Sequence, residues 1–142
     1  MANYTTEIVS TLSPSDAFTY MAEFQNVASW DPGVKHAEKL TEGPATLGSE
    51  FKVVTVTNGR ELPIVYRIVE FEEGVRVVLK GETSRLRSLD EISVASRDGG
   101  SLVTYSANLS LLGGVAFLSP LLGPTLRKIG NRARDQLRIS LN

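Results

Sequence analysis

Between Val34 and Leu112, apolar residues recur at alternate positions, and glycine-bearing turn signals interrupt them at short intervals. Glu42-Gly43-Pro44, Asn58-Gly59, Glu73-Gly74 and Asp98-Gly99-Gly100 separate runs of about the length of hairpin strands. Side chains that alternate faces with a period of two belong to a pleated strand, so this stretch predicts an antiparallel meander. Its inward alternation is Leu62, Ile64, Tyr66 and Ile68; Val75, Val77 and Leu79; Leu86, Ile92 and Val94; and Val103, Tyr105, Ala107, Leu109 and Leu111. Arg76, Lys80, Arg87 and Glu91 then face water.

The flanks follow other periods. Asn3 to Leu12 is rich in Tyr, Thr, Ile and Val and predicts a first strand. Ser13-Pro14-Ser15-Asp16 is a helix start: Ser13 caps, Pro14 needs no amide partner in the first turn, and Asp16 suits the positive helix end. Ala17, Phe18, Met21 and Ala22 give that helix its buried face. A second short helical turn, Val27 to Trp30, is capped by Asn26 and stopped by Asp31-Pro32-Gly33. After Gly113-Gly114 the period is helical: Leu122, Leu126, Ile129, Ala133, Leu137 and Leu141 form one stripe of a long C-terminal helix, with Arg127, Lys128, Arg132, Arg134 and Arg138 largely off it.

A chain of 142 residues with 42% hydrophobic content and a net charge of −1 fits one globular domain spanning residues 1–142. The absence of cysteine excludes disulfides, thiolate metal ligands and a cysteine nucleophile. The N-terminus has neither a basic nor an apolar export region, so the expected location is cytoplasmic. Arg127 to Arg138 holds five bases and one acid, but without interleaved aromatics it reads as a solvated helix face, with no nucleic-acid partner expected.

Gly99 to Leu126 is a run of 28 residues without a charged side chain. Leu109 to Leu126 nevertheless contains three glycines, two prolines, two serines and a threonine, too many breaks for a membrane span, so no stable membrane insertion is expected. The run divides into the end of a strand, a turn and an apolar approach to the last helix, enclosed on most sides or bordering something apolar.

The order of strand, two short helices, antiparallel strands and long closing helix resembles the helix-grip fold. Phe24-Gln25-Asn26-Val27-Ala28-Ser29-Trp30-Asp31-Pro32-Gly33 and Asp98-Gly99-Gly100-Ser101-Leu102-Val103-Thr104-Tyr105 are similar to patterns of the polyketide cyclase/dehydrase and lipid-transport family. That family lies within the START-like (SRPBCC, birch-pollen-allergen-type) superfamily, and the likeness runs from about Tyr4 to Leu141. It implies an α+β domain: a curved antiparallel sheet of six to seven strands wrapped around the C-terminal helix, with an apolar cavity between them. The implied function is binding of a hydrophobic small molecule such as a lipid, polyketide or isoprenoid. The alternatives are a polyketide cyclase or dehydratase working by acid/base chemistry on a bound chain, and a protein-interaction module using the outer sheet face. One fold hosts many functions, so the residues must discriminate.

Three side chains are candidates for chemistry. Asp90 shares the alternation of Leu86, Ser88, Ile92 and Val94, which points its carboxylate into the cavity unless a bulge moves it to the rim. Tyr66 and Tyr105 lie on inward alternations, where each is either a hydroxyl that orients a ligand or a core aromatic. Ligand-binding candidates are Trp30, which the resemblance places near the mouth and which otherwise packs the short helices on the sheet edge; Ile64, Ile68, Val77, Leu79, Ile92, Ala107 and Leu109 on the sheet; and Phe117, Leu118, Leu122 and Leu126 on the approach and last helix. His36 stands alone, so no metal site is expected, and no phosphate loop or other cofactor signature is present. The partner expected is a hydrophobic small molecule bound by a monomer or homodimer.

Overall fold

A computed structural model describes residues 2–57, 59–114 and 122–142 of the chain. The elements are β1 (Ala2–Ser10), α1 (Pro14–Ala22), a single 3-10 turn (Phe24–Asn26), α2 (Val27–Trp30), β2 (Val34–Lys39), β3 (Glu50–Thr57), β4 (Arg60–Glu72), β5 (Arg76–Glu82), β6 (Leu86–Arg97), β7 (Gly100–Leu111) and α3 (Leu122–Ser140). Seven strands form one antiparallel sheet in the order β1-β7-β6-β5-β4-β3-β2, curled into a half-barrel that holds α3.

Turn chemistry sets most of this order. Arg97 pairs with Gly100, leaving Asp98 and Gly99 as a two-residue loop with φ of 44° and 84°. Positive φ at both positions is what a tight hairpin of the right twist requires, and Asp-Gly supplies it at low steric cost. β1 has no hairpin partner. It returns across the sheet to pair with β7, from Ala2 opposite Leu109 to Ser10 opposite Ser101.

Three local expectations need correction. β1 ends at Ser10 rather than Leu12, because the Ser10 hydroxyl accepts from the Leu12 amide (3.1 Å) and donates to the Leu141 carbonyl (2.6 Å), turning the chain toward the C-terminus. Asn26 does not cap α2: its backbone is already helical, and its side-chain amide donates to the Tyr20 carbonyl (3.0 Å). Val75 is 46% exposed, since it belongs to the turn before β5 and not to the strand's inward row. The α1 start behaves as the sequence predicts, with Ser13 Oγ accepting from the Asp16 amide at 3.1 Å.

The inner face of the sheet divides into two halves. One is filled: Ala17, Phe18, Met21 and Ala22 of α1 are buried, and Phe18 meets Phe71 edge to face at 5.6 Å. Ile8, Val77, Ile92, Val103, Leu137 and Leu141 complete that core. The other half lies beyond the reach of α1, and there the space between sheet and α3 stays open.

Candidate functional site

The open half is a cavity of about 380 Å³. Its wall is assembled from Phe24 and Val27 of the short helices, the Asp31-Pro32-Gly33-Val34 segment, alternating residues of β3, β4, β6 and β7, and Leu126, Ile129 and Arg132 of α3. Leu62, Val56 and Ile129 are partly exposed and mark its mouth. The volume lies near the lower end of the roughly 300–1,000 Å³ typical of small-molecule pockets.

Strand register builds the polar centre. Leu79, Asp90 and Ala107 form one cross-strand row, and Gly81, Ser88 and Leu109 the next, so Asp90 and Ser88 share the inner face two residues apart. Tyr105 pairs with Ile92 and reaches Asp90 diagonally. The result is a carboxylate held at both oxygens: Ser88 Oγ donates to Oδ1 at 2.7 Å and Tyr105 Oη to Oδ2 at 2.5 Å. No bulge interrupts β6 at this point, and Asp90 is only 4% exposed.

Tyr66 approaches the same centre from β4. It pairs with Gly81, and a side chain at that position would collide with the Tyr66 ring and with Ile64, so the glycine makes room for both. The ring of Trp30 packs edge to face on Tyr105 at 5.3 Å, bracing the phenol from behind.

Burial dominates the electrostatics. It lifts the Asp90 carboxyl from its ordinary 3.8 to about 6, against the pull of the Tyr105 and Ser88 hydrogen bonds, while the nearby Asp31 charge adds to the rise. Asp31 is raised by the same desolvation, partly offset by the Gly33 amide that donates to its Oδ1 at 2.9 Å. Both phenols are pushed up, first by burial and then by the charge of Asp90. Such a centre can accept or deliver a proton near neutral pH and can orient a polar group, while the surrounding wall takes an apolar body.

Tyr66, Tyr105, Asp90, Ile64, Ala107 and Leu109, all on inward strand alternations, and Leu126, on the helical stripe of α3, line the cavity. Trp30, Ile68, Val77, Leu79 and Ile92 do not: they are packed in the filled half or behind the wall. Phe117 and Leu118 lie outside the described residues, as does the side chain of Leu122. Asp31 and Arg132 are wall residues that sequence reasoning assigned to a helix stop and a solvated face. Ser88 was visible on the alternation of Asp90, and its hydroxyl was the signal. Among the described residues no cluster of three His, Cys, Asp or Glu could hold a metal ion, and no helix is long and apolar enough to cross a membrane.

Solved structures share this architecture. A START superfamily protein from Mycobacterium smegmatis superposes with a TM-score of 0.75 at 10% identity, covering 99% of this chain and 97% of that one. A major latex-like protein from Panax ginseng gives 0.64 at 14% identity, covering 99% and 97%. A Thermus thermophilus protein gives 0.72 at 10% identity, covering 99% of each chain. At such identities the likeness concerns the fold. No curated protein matches the sequence. The family described as polyketide cyclase/dehydrase and lipid transport matches residues 1–138, nearly the whole length over which sheet, short helices and α3 enclose the cavity, and the chain belongs to that family.

Proposed function

We propose that this protein binds a hydrophobic small molecule in the cavity between sheet and α3. The observation that carries the reading is a mainly apolar space of about 380 Å³ with one organised polar centre, Asp90 held by Ser88 and Tyr105. Apolar walls supply affinity through desolvation, and a few fixed polar groups supply orientation. The family's lipid-transport and polyketide branches support the same reading. Native mass spectrometry of freshly purified protein tests it, with denaturing extraction of whatever is released. A stoichiometric apolar adduct is expected; a clean apo mass with no thermal shift across lipids, polyketides and isoprenoids would overturn it.

A second reading is favoured by one contact. Asp90, its carboxyl raised to about 6 and 2.5 Å from the Tyr105 hydroxyl, is poised near neutrality to take an α-proton from a bound β-keto chain, the proton ending on the carboxyl and the electron pair on the enolate oxygen, where a phenol stabilises the developing charge. Cyclisation or dehydration of such a chain, lost in Asp90→Asn, is the expected outcome under this reading. Binding without turnover leaves the protein a carrier.

A further inference from the structure

The polar groups of the wall are distributed by sign. The wall carries two carboxyls, the buried Asp90 and the half-buried Asp31, whereas among the described residues its one cation is Arg132, which is exposed on α3. Asp90 receives only neutral donors, one at each oxygen, and each oxygen retains acceptor capacity. A buried carboxylate paired with neutral hydroxyls alone is costly, and a cationic partner would relieve that cost.

Tyr66 adds a further acceptor at the same place. Its side chain is 7% exposed and lines the cavity, with the Ser88 hydroxyl as a polar neighbour. Ser88 gives its one proton to Asp90, so toward Tyr66 it can only accept, and the phenol oxygen keeps its lone pairs for a donor brought by a guest. The same wall carries aromatic rings: Phe24 and Tyr66 line it with ring centroids 5.1 Å apart, and Tyr105 stands beside the carboxylate. Carboxylate and aromatic rings together are the surroundings that an organic cation prefers.

We propose that the ligand is a hydrophobic amine, whose protonated nitrogen lies toward Asp90 and Asp31 and whose apolar body extends along Ile64, Leu109 and Leu126 toward the mouth. This rests on the cavity being a ligand site, as proposed above, and adds the chemistry of the ligand's head. A fatty acid of equal length is disfavoured, because its carboxylate would meet like charge inside and could be paired only at Arg132 on the outside.

Titration calorimetry at pH 7.5 with octylamine, octanol and octanoate tests the order, since the three probes share one apolar body. Octylamine is expected to bind about tenfold more tightly than octanol, the step from a neutral to a charge-assisted hydrogen bond, and octanoate most weakly. In Asp90→Asn the amine-to-alcohol ratio should fall to near one; Asp31→Asn, in the segment outside the sheet, should lower the same ratio and serves if the first variant does not fold. Octanol binding as tightly as octylamine, or octanoate binding best, overturns the amine assignment and leaves the cavity reading standing. Binding of none of the three overturns both.

Discussion

Burial lifts the Asp90 carboxyl to about 6, against its ordinary 3.8, with the Tyr105 and Ser88 hydroxyls pulling the other way. The folded chain therefore binds this proton more tightly than the unfolded chain, and stability must rise as pH falls from about 6 to about 4. The other titratable groups of the wall are Asp31, Tyr66, Tyr105 and Arg132, of which Asp31, also raised, shares the sign. Outside the cavity, Glu23 works in the opposite sense. Burial pushes it up, but Lys39 at 2.6 Å and the Ala45 amide hold it below its ordinary 4.5, so its contribution is lost as pH falls through that lowered value. Urea denaturation followed by Trp30 emission should find Asp90 adding about 1 kcal/mol of stability at pH 5 relative to pH 7.5. Asp90→Asn should remove that increment, and an unchanged increment would place its source elsewhere. Asp90, Tyr66 and Tyr105 were legible because regular strands convert alternation into direction. Asp31 was not, since a loop has no period, and Arg132 reads as ordinary solvated charge because it sits beside the apolar stripe.

The stripe on α3 was legible as a period but not as two different surfaces. Ala133, Leu137 and Leu141 are buried against the filled half of the sheet, whereas Leu126 is half-buried and Ile129 is 38% exposed at the cavity mouth. Periodicity reports which residues share a face; it cannot report that the facing half of the sheet is empty. Leu137→Ala should accordingly cost about 3 kcal/mol, as a fully packed leucine does, while Ile129→Ala should change stability by about 0.5 kcal/mol or less and weaken ligand binding. Equal losses from the two substitutions would mean that α3 packs uniformly. β5 carries a second element-scale device. A Cβ at position 81 would stand 2.8 Å from both Ile64 Cγ2 and the Tyr66 ring, so Gly81→Ala should destabilise by about 1–3 kcal/mol and displace the two wall residues it strikes. Unaltered ligand affinity in that variant would argue against Tyr66 as part of the site.

At the scale of the whole molecule, the meander was legible from its turns, but the return of β1 to β7 was not. Local turn chemistry specifies neighbours in sequence; the pairing of Ala2–Ser10 with Ser101–Leu109 joins strands far apart along the chain, and no local signal reports it. That closure is reinforced where the chain ends meet. Ser10 donates to the Leu141 carbonyl, Asn142 accepts from the Thr11 amide at 3.0 Å, and its own amide donates to the Val9 and Arg138 carbonyls at 3.0 and 2.8 Å. The molecule thus has a tight side, β1 and the ends of β6 and β7 that pack on α1 and the second half of α3, and a loose side, where β3 and the start of β4 border the cavity and reach the exposed Val56 and Leu62 of its mouth, although Phe51 and Val53 there are buried. Opening free energies should follow that division. Amide hydrogen exchange should be slowest through Ile92–Val94 and Val103–Tyr105, and fastest in β2 and at Thr55, Val56, Glu61 and Leu62. A saturating apolar ligand should slow exchange chiefly on the loose side, because filling the cavity supplies the packing that α1 already supplies on the other. Uniform protection along the sheet would instead mean that the ligand acts only by shifting global unfolding, and that the two halves open as one unit.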